Sequence, residues 1–148
     1  MRRALALILI LLADPLAAQP ITYAKDTVTI ETASGGRHRF SVELATTPPQ
    51  IAQGLMFRRQ MAPEAGMLFI FERPEPATFW MKNTYIPLDM IFIGPDGRIL
   101  NIAERTVPLT ETPVPAAGPT RAVLEVNGGT SSRLGIKPGD RVRHSSLP

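Results

Sequence analysis

The stretch Gly66–Gly97, GMLFIFERPEPATFWMKNTYIPLDMIFIGPDG, decides the fold. It sets three apolar runs and one polar cluster, Lys82-Asn83-Thr84 with Asp89, in a segment too short for slack. Met67–Phe71, Phe79–Met81 and Met90–Ile93 read as core strands, because short continuous apolar runs rich in Ile and Phe suit a sheet buried on both faces. Glu72–Pro76, between the first two, reads as an acidic, proline-containing loop. Lys82, Asn83 and Asp89 then fall at the ends of two strands.

Toward the N-terminus, Thr27–Thr32 and Arg37–Leu44 both alternate, the second with Phe40, Val42 and Leu44 on one face. Ser34-Gly35-Gly36 between them completes a hairpin signal. Thr47-Pro48-Pro49-Gln50 is a helix start: Thr47 caps, Pro48 sits where its missing N–H costs nothing, and Gln50 closes a capping box. Ile51, Ala52 and Leu55 then face inward. Gly54 in this helix costs about 1 kcal/mol relative to Ala, which a close backbone approach would offset.

Toward the C-terminus, Pro95-Asp96-Gly97 is a tight turn and Arg98–Arg105 a strand. The tract Pro108–Pro119 cannot be a central strand, because each proline lacks a ladder donor. It reads as a surface loop or an ordered flap over one end of the sheet. Arg121–Val126 is a strand, Thr130–Leu134 a helical turn closed by Gly135, and Arg141-Val142-Arg143 a last short strand. About eight short strands predict a mainly β fold, a sandwich or barrel of antiparallel sheets with one short helix and one helical turn.

With 148 residues the chain is one domain by length. Met1-Arg2-Arg3, the apolar Ala4–Ala13 and the small-residue exit Leu16-Ala17-Ala18 have the layout of a cleavable signal peptide. The apolar run is too short to span a bilayer, which takes about 20 residues. Residues 1–18 are therefore assigned to export, 19–148 to the domain, and the mature protein to the periplasm or the exterior. The only membrane encounter expected is during export. Removing Arg2, Arg3 and Asp14 lowers the formal charge from +3 to +2. Basic residues are scattered, without a basic run or an aromatic-studded strip, so nucleic acid is not an expected partner. Cysteine is absent, which removes thiol nucleophiles, redox pairs and cysteine-ligated zinc.

Several of these motifs resemble those of the bacterial and archaeal family catalogued as domain of unknown function 192. Gly54-Leu55-Met56 with Arg58 resembles its helix-end motif, and Gly66-Met67-Leu68-Phe69 with Phe71 its central strand. Phe79-Trp80-Met81-Lys82-Asn83-Thr84 followed by Pro87-Leu88-Asp89 resembles its signature. Leu124-Glu125 and Gly135-Ile136 with Gly139-Asp140 also match. The resemblance covers roughly Phe40 to Arg143 and implies a small, mainly β, often exported protein. It implies no established catalytic residue. Gln50 and Gln53 stand where family members commonly carry charges, so no role for a charge there is carried over.

Lys82 and Asp89 bracket Asn83–Leu88, and a hairpin loop there would let them face each other. The structural reading is a salt bridge, with Asn83 bonding loop backbone. The functional reading adds Trp80, Arg58 and Glu125 as a polar mouth beside an aromatic platform, suited to a sugar, a peptide end or a small organic anion. Trp80 and Lys82 share a side because side chains alternate along a strand. Asp89 and Glu125 as an acid–base pair, with Lys82 as electrostatic partner, would instead make a small hydrolase or isomerase. A third reading is a structural or protein-partner domain with an exposed apolar patch and no pocket near Trp80.

Met67, Met81 and Met90 lie beside Phe and Ile as core fillers. His38 and His144 have no ligand spacing, so no metal or other cofactor is expected. The sequence thus favours an exported ligand-binding or accessory module that meets a small molecule or a protein partner, with Trp80, Lys82, Asn83, Asp89, Arg58 and Glu125 as its candidate site. It names no reaction and no oligomeric state.

Overall fold

A computed structural model describes residues 19–148; the signal-peptide reading falls on residues 1–18, outside the described residues. The chain runs β1 (Ala24–Glu31), β2 (Arg37–Ala45), α1 (Pro48–Gln53), β3 (Ala65–Phe79), β4 (Leu88–Ile93), β5 (Ile99–Thr106), β6 (Val114–Asn127), α2 (Thr130–Leu134) and β7 (Arg141–Arg143). The seven strands of the described residues form one sheet in the order β5-β4-β6-β3-β2-β1-β7. The mainly β expectation holds, with one short helix and one helical turn. One pair departs from the antiparallel pattern: β2 and β3 run parallel. A parallel neighbour needs a crossover, and α1 sits on it.

The sheet curls until its two edges meet at one corner. Val142 N–H donates to Gly97 O at 2.8 Å, Ile99 N–H to Asp140 O at 2.9 Å and Gly139 N–H to Ile99 O at 2.8 Å. These bonds pin the β4–β5 turn to the start of β7 and give a half-barrel. Asp140 braces the corner, its carboxylate accepting from Ala33 N–H at 2.9 Å and Lys137 N–H at 2.8 Å. The turn role expected of Asp140 holds, and it also reaches the β1–β2 turn.

Each face of the sheet carries its own core. Val28, Ile30, Phe40, Leu68, Leu124 and Val142 belong to one; Leu55, Met67, Phe69, Met81, Met90 and Phe92 belong to the other. β4 is buried along its whole length, Met90–Ile93 as an uninterrupted apolar run requires and Asp89 with them. Met67 and Met90 are fully enclosed and Met81 nearly so, in line with a packing role.

The main correction concerns prolines. Glu72–Pro76 is not a loop, and Val114–Pro119 is neither a loose loop nor a flap; both are strand. Met67–Phe71 and Phe79 belong to one strand of 15 residues, β3, and the seven-strand total follows from that merger. Its second half pairs with the first half of β6, Pro76 opposite Pro119 and Thr78 opposite Pro115, with register shifts on either side of Glu75–Pro76. β4 pairs with β6 only from Ala122 onward, so this proline-rich ribbon has no third strand. An unpaired flank does not need the N–H groups that proline lacks. In place of a strand, the Asn101 side chain bonds that flank, donating to Pro115 O at 3.2 Å and accepting from Ala117 N–H at 2.8 Å.

Candidate functional site

β6 is a central strand, with β3 and β4 on either side. Glu125 lies opposite Met67 of β3 and Met90 of β4. Alternation puts Leu124 and Val126 in one core and turns Glu125 to the other face with Val123. A carboxyl therefore enters the methionine- and phenylalanine-rich core. Gly66 brings the strands close here: a Cβ at Gly66 would lie 2.6 Å from Glu125 O.

Glu125 ends in a narrow slot of about 40 Å³. That is room for a group of roughly two or three heavy atoms, judged against the share of a single water. The C-terminal turn of α1 and Gly54-Leu55-Met56 form one wall, Phe69 and Phe79 the back, and Trp80, Lys82 and Thr84 the mouth. Gly54 shapes that wall. It ends α1 at a φ of +49°, and a Cβ there would meet the Phe69 ring at 3.0 Å. The close approach that would justify a glycine is present. α1 itself starts as expected, Gln50 Oε1 accepting from Thr47 N–H at 3.1 Å.

Glu125 is only 4% exposed, and among the described residues no hydrogen bond to its carboxyl offsets that burial. Burial without compensation disfavours the charged form and pushes its pKa up to about 8. Trp80 is 46% exposed at the mouth. The Lys82 Nζ lies 5.0 Å from the indole centroid, a cation–π contact, and 3.4 Å from Glu111 Oε1. Trp80 and Lys82 do lie on one side, although β3 ends at Phe79 and both follow it.

Of the six residues expected at the site, Trp80, Lys82 and Glu125 converge and the other three do not line the slot. Lys82 pairs with Glu111, not with Asp89. Asp89 is fully buried, and its carboxylate accepts three backbone N–H groups: Arg105 at 2.9 Å, Gly129 at 2.8 Å and Ser131 at 2.8 Å. It fixes the start of α2 and the end of β5. Asn83 is a loop residue at φ +53°, its carbonyl accepting from Phe57 N–H at 2.8 Å. Arg58 makes a two-point bond with Glu43, at 2.7 and 3.2 Å, beside a separate cavity of about 320 Å³. That cavity is larger, but its cation already has a partner, whereas the Glu125 carboxyl has none among the described residues.

The acid–base pair is also excluded by register. Asp89 lies opposite Val126 and Met90 opposite Glu125. Paired residues share a face and neighbours do not, so Asp89 and Glu125 leave the sheet on opposite sides.

Sequence reasoning missed Glu111, counted Thr84 in the polar cluster but not in the site, and missed a set of exposed apolar side chains. Phe57, Tyr85, Val107 and Leu109 are all exposed. Phe57 stacks edge-on with Tyr85 at 6.3 Å, and Leu109 N–H bonds Thr84 O at 3.1 Å. Phe57 and Leu109 hold positive φ, +67° and +63°. Non-glycine residues rarely adopt that conformation, and such strain gathers at functional sites. No periodicity announces it.

The family model described as Uncharacterized ACR, domain of unknown function 192, matches residues 29–144. Among curated proteins no match is found. A crystal structure from Sinorhizobium meliloti, of a protein provisionally described as a transcription regulator, is 51% identical with a TM-score of 0.84, covering 87% of this chain and 100% of that one. A protein of unknown function from Novosphingobium aromaticivorans is 53% identical with a TM-score of 0.80, covering 86% of this chain and 94% of that one. The chain belongs to the domain of unknown function 192 family.

Proposed function

We propose that the protein is an exported binding module that seats the small polar end of a ligand against Glu125, with the Trp80 ring as the platform outside. One observation carries this reading. Glu125, a residue only 4% exposed, has no hydrogen-bond partner for its carboxyl among the described residues and lines a slot that opens beside a half-exposed indole. Leaving a buried polar group unpaired costs about 1–3 kcal/mol, and a ligand group that bonds it recovers that cost. The third reading, a structural or protein-partner domain, expects an exposed apolar patch and no pocket near Trp80; the slot counts against it, and the exposed Phe57, Tyr85, Val107 and Leu109 count for it.

The test is a thermal-shift screen of small polar compounds, repeated with Glu125→Gln and Trp80→Ala. A stabilising compound class that loses its effect in both variants supports the reading; a screen in which no class raises the Tm ends it. Export rests on the Met1–Ala18 pattern. Mass spectrometry of the mature protein from the producing cell should find Gln19 as its first residue, and recovery of the chain with Met1 intact in the cytoplasmic fraction alone would overturn that part.

A further inference from the structure

We infer that the slot takes an ammonium group, the charged end of a small primary amine. This rests on the reading that the slot is a ligand site, and it names the ligand's chemistry.

Three walls of the slot are electron-rich. The floor is the Glu125 carboxyl. One side is the last turn of α1, where Ile51 and Ala52 line the slot and, among the described residues, no N–H bonds Ile51 O or Ala52 O. The end of a helix leaves such carbonyls unsatisfied, and they favour a cation. No basic side chain in the last turn of α1 answers them. Trp80 lines the mouth, and its indole already holds one cation, the Lys82 Nζ at 5.0 Å from the ring centroid, a like charge that an entering ammonium would meet. An anionic ligand would face the carboxyl and the carbonyls, while Lys82 is engaged by Glu111. A neutral hydroxyl would satisfy Glu125 but gain nothing from the indole. An ammonium gains from all three, against the repulsion of a Lys82 already engaged by Glu111, and a slot of about 40 Å³ admits a group the size of methylammonium.

Binding then carries a proton term. Met67 of β3 and Met90 of β4 flank Glu125 in the sheet, and Phe69, Phe79, Ile51 and Leu55 line the slot with it, together with the uncharged polar Gln53 and Thr84. Lys82 is the other ionisable side chain lining the slot among the described residues. An entering ammonium pairs with the carboxylate, so Glu125 releases its proton to solvent. Below pH 8 affinity should therefore rise with pH, approaching tenfold per unit.

The probes are methylammonium, methanol and acetate, titrated into the full mature protein and followed by two-dimensional NMR. The chain has one tryptophan, so the indole N–H gives a single reporter at the mouth. Methylammonium should shift that signal and the amides of Gly54–Met56 saturably, more tightly at pH 8 than at pH 6. Glu125→Gln should weaken binding at least tenfold, and Lys82→Met, which removes a like charge, should strengthen it. If methanol or acetate binds as well as methylammonium, or if Glu125→Gln leaves its affinity unchanged, the ammonium inference is wrong while the slot stands. If no probe moves these signals, both readings fail. Glucosamine and N-acetyl-lysine amide then separate a sugar from a peptide source of the amine.

Discussion

Glu125 and Asp89 are both carboxylic acids on central strands, and their surroundings give them opposite tasks. Asp89 meets three backbone N–H groups that need an acceptor. Replacing it with alanine leaves those donors unpaired in the interior, and a loss of about 2–3 kcal/mol follows. Urea denaturation should show this as a lower midpoint with an unchanged slope. Glu125 meets methionines and phenylalanines, so it costs stability when it ionises. Its raised folded pKa means that the native state holds the proton between about pH 4.5 and 8, where the unfolded chain has lost it. Stability therefore falls as pH rises through that window, by up to about 1.4 kcal/mol per unit, and levels off above it. Glu125→Gln cannot ionise and should flatten this part of the profile, leaving the variant more stable than wild type at pH 8. Denaturation at pH 5 and pH 8 checks the difference. Lys82→Ala should cost under about 1 kcal/mol, because exposed ion pairs contribute little.

At the scale of elements, the unexpected feature is the ribbon of prolines. A proline tract excludes a central strand, and that physical statement holds: Val114–Thr120 pairs on one flank only. What the tract does not exclude is a strand with a free flank. Asn101 supplies the bonds that a neighbouring strand would make there. Asn101→Ala should leave the global midpoint within about 1 kcal/mol while hydrogen exchange at Ala117 accelerates severalfold, because that N–H loses its acceptor. The α1 element depends on Gly54 in a different way. Gly54→Ala meets both the positive φ and the Phe69 ring, and should destabilise the fold by about 1–3 kcal/mol. The same change narrows the slot wall, so calorimetry should report weaker ligand binding in whatever fraction remains folded.

At the scale of the whole molecule, the half-barrel is closed by a few backbone bonds at one corner, and Asp140 holds that corner from β1 to β7. Asp140→Ala should lower stability by about 2–3 kcal/mol, with hydrogen exchange in β7 rising more than in β3. Much of this architecture is written locally. Alternation placed β1 and β2, the uninterrupted run Met90–Ile93 placed a strand buried on both sides, Thr47–Gln50 placed the start of α1, and Gly135 its counterpart after α2. Those features depend on neighbours within a few residues, and the side-chain period or cap chemistry expresses them directly. The residues of the site did not follow the same rule. Trp80 and Lys82 adjoin in sequence and met as expected, but which carboxyl they would join depended on strand register. One position along β4 sends Asp89 to the backbone of α2, and one along β6 sends Glu125 into the slot. The partner Glu111, the parallel β2–β3 pair and the strained Phe57 and Leu109 likewise come from segments far apart in the chain. Short-range chemistry thus fixed the strands outside the proline ribbon, the helix starts and the family, while the ribbon itself and the choice of which acid is bonded and which is left open were made only by long-range pairing, because register decides the face on which a side chain emerges.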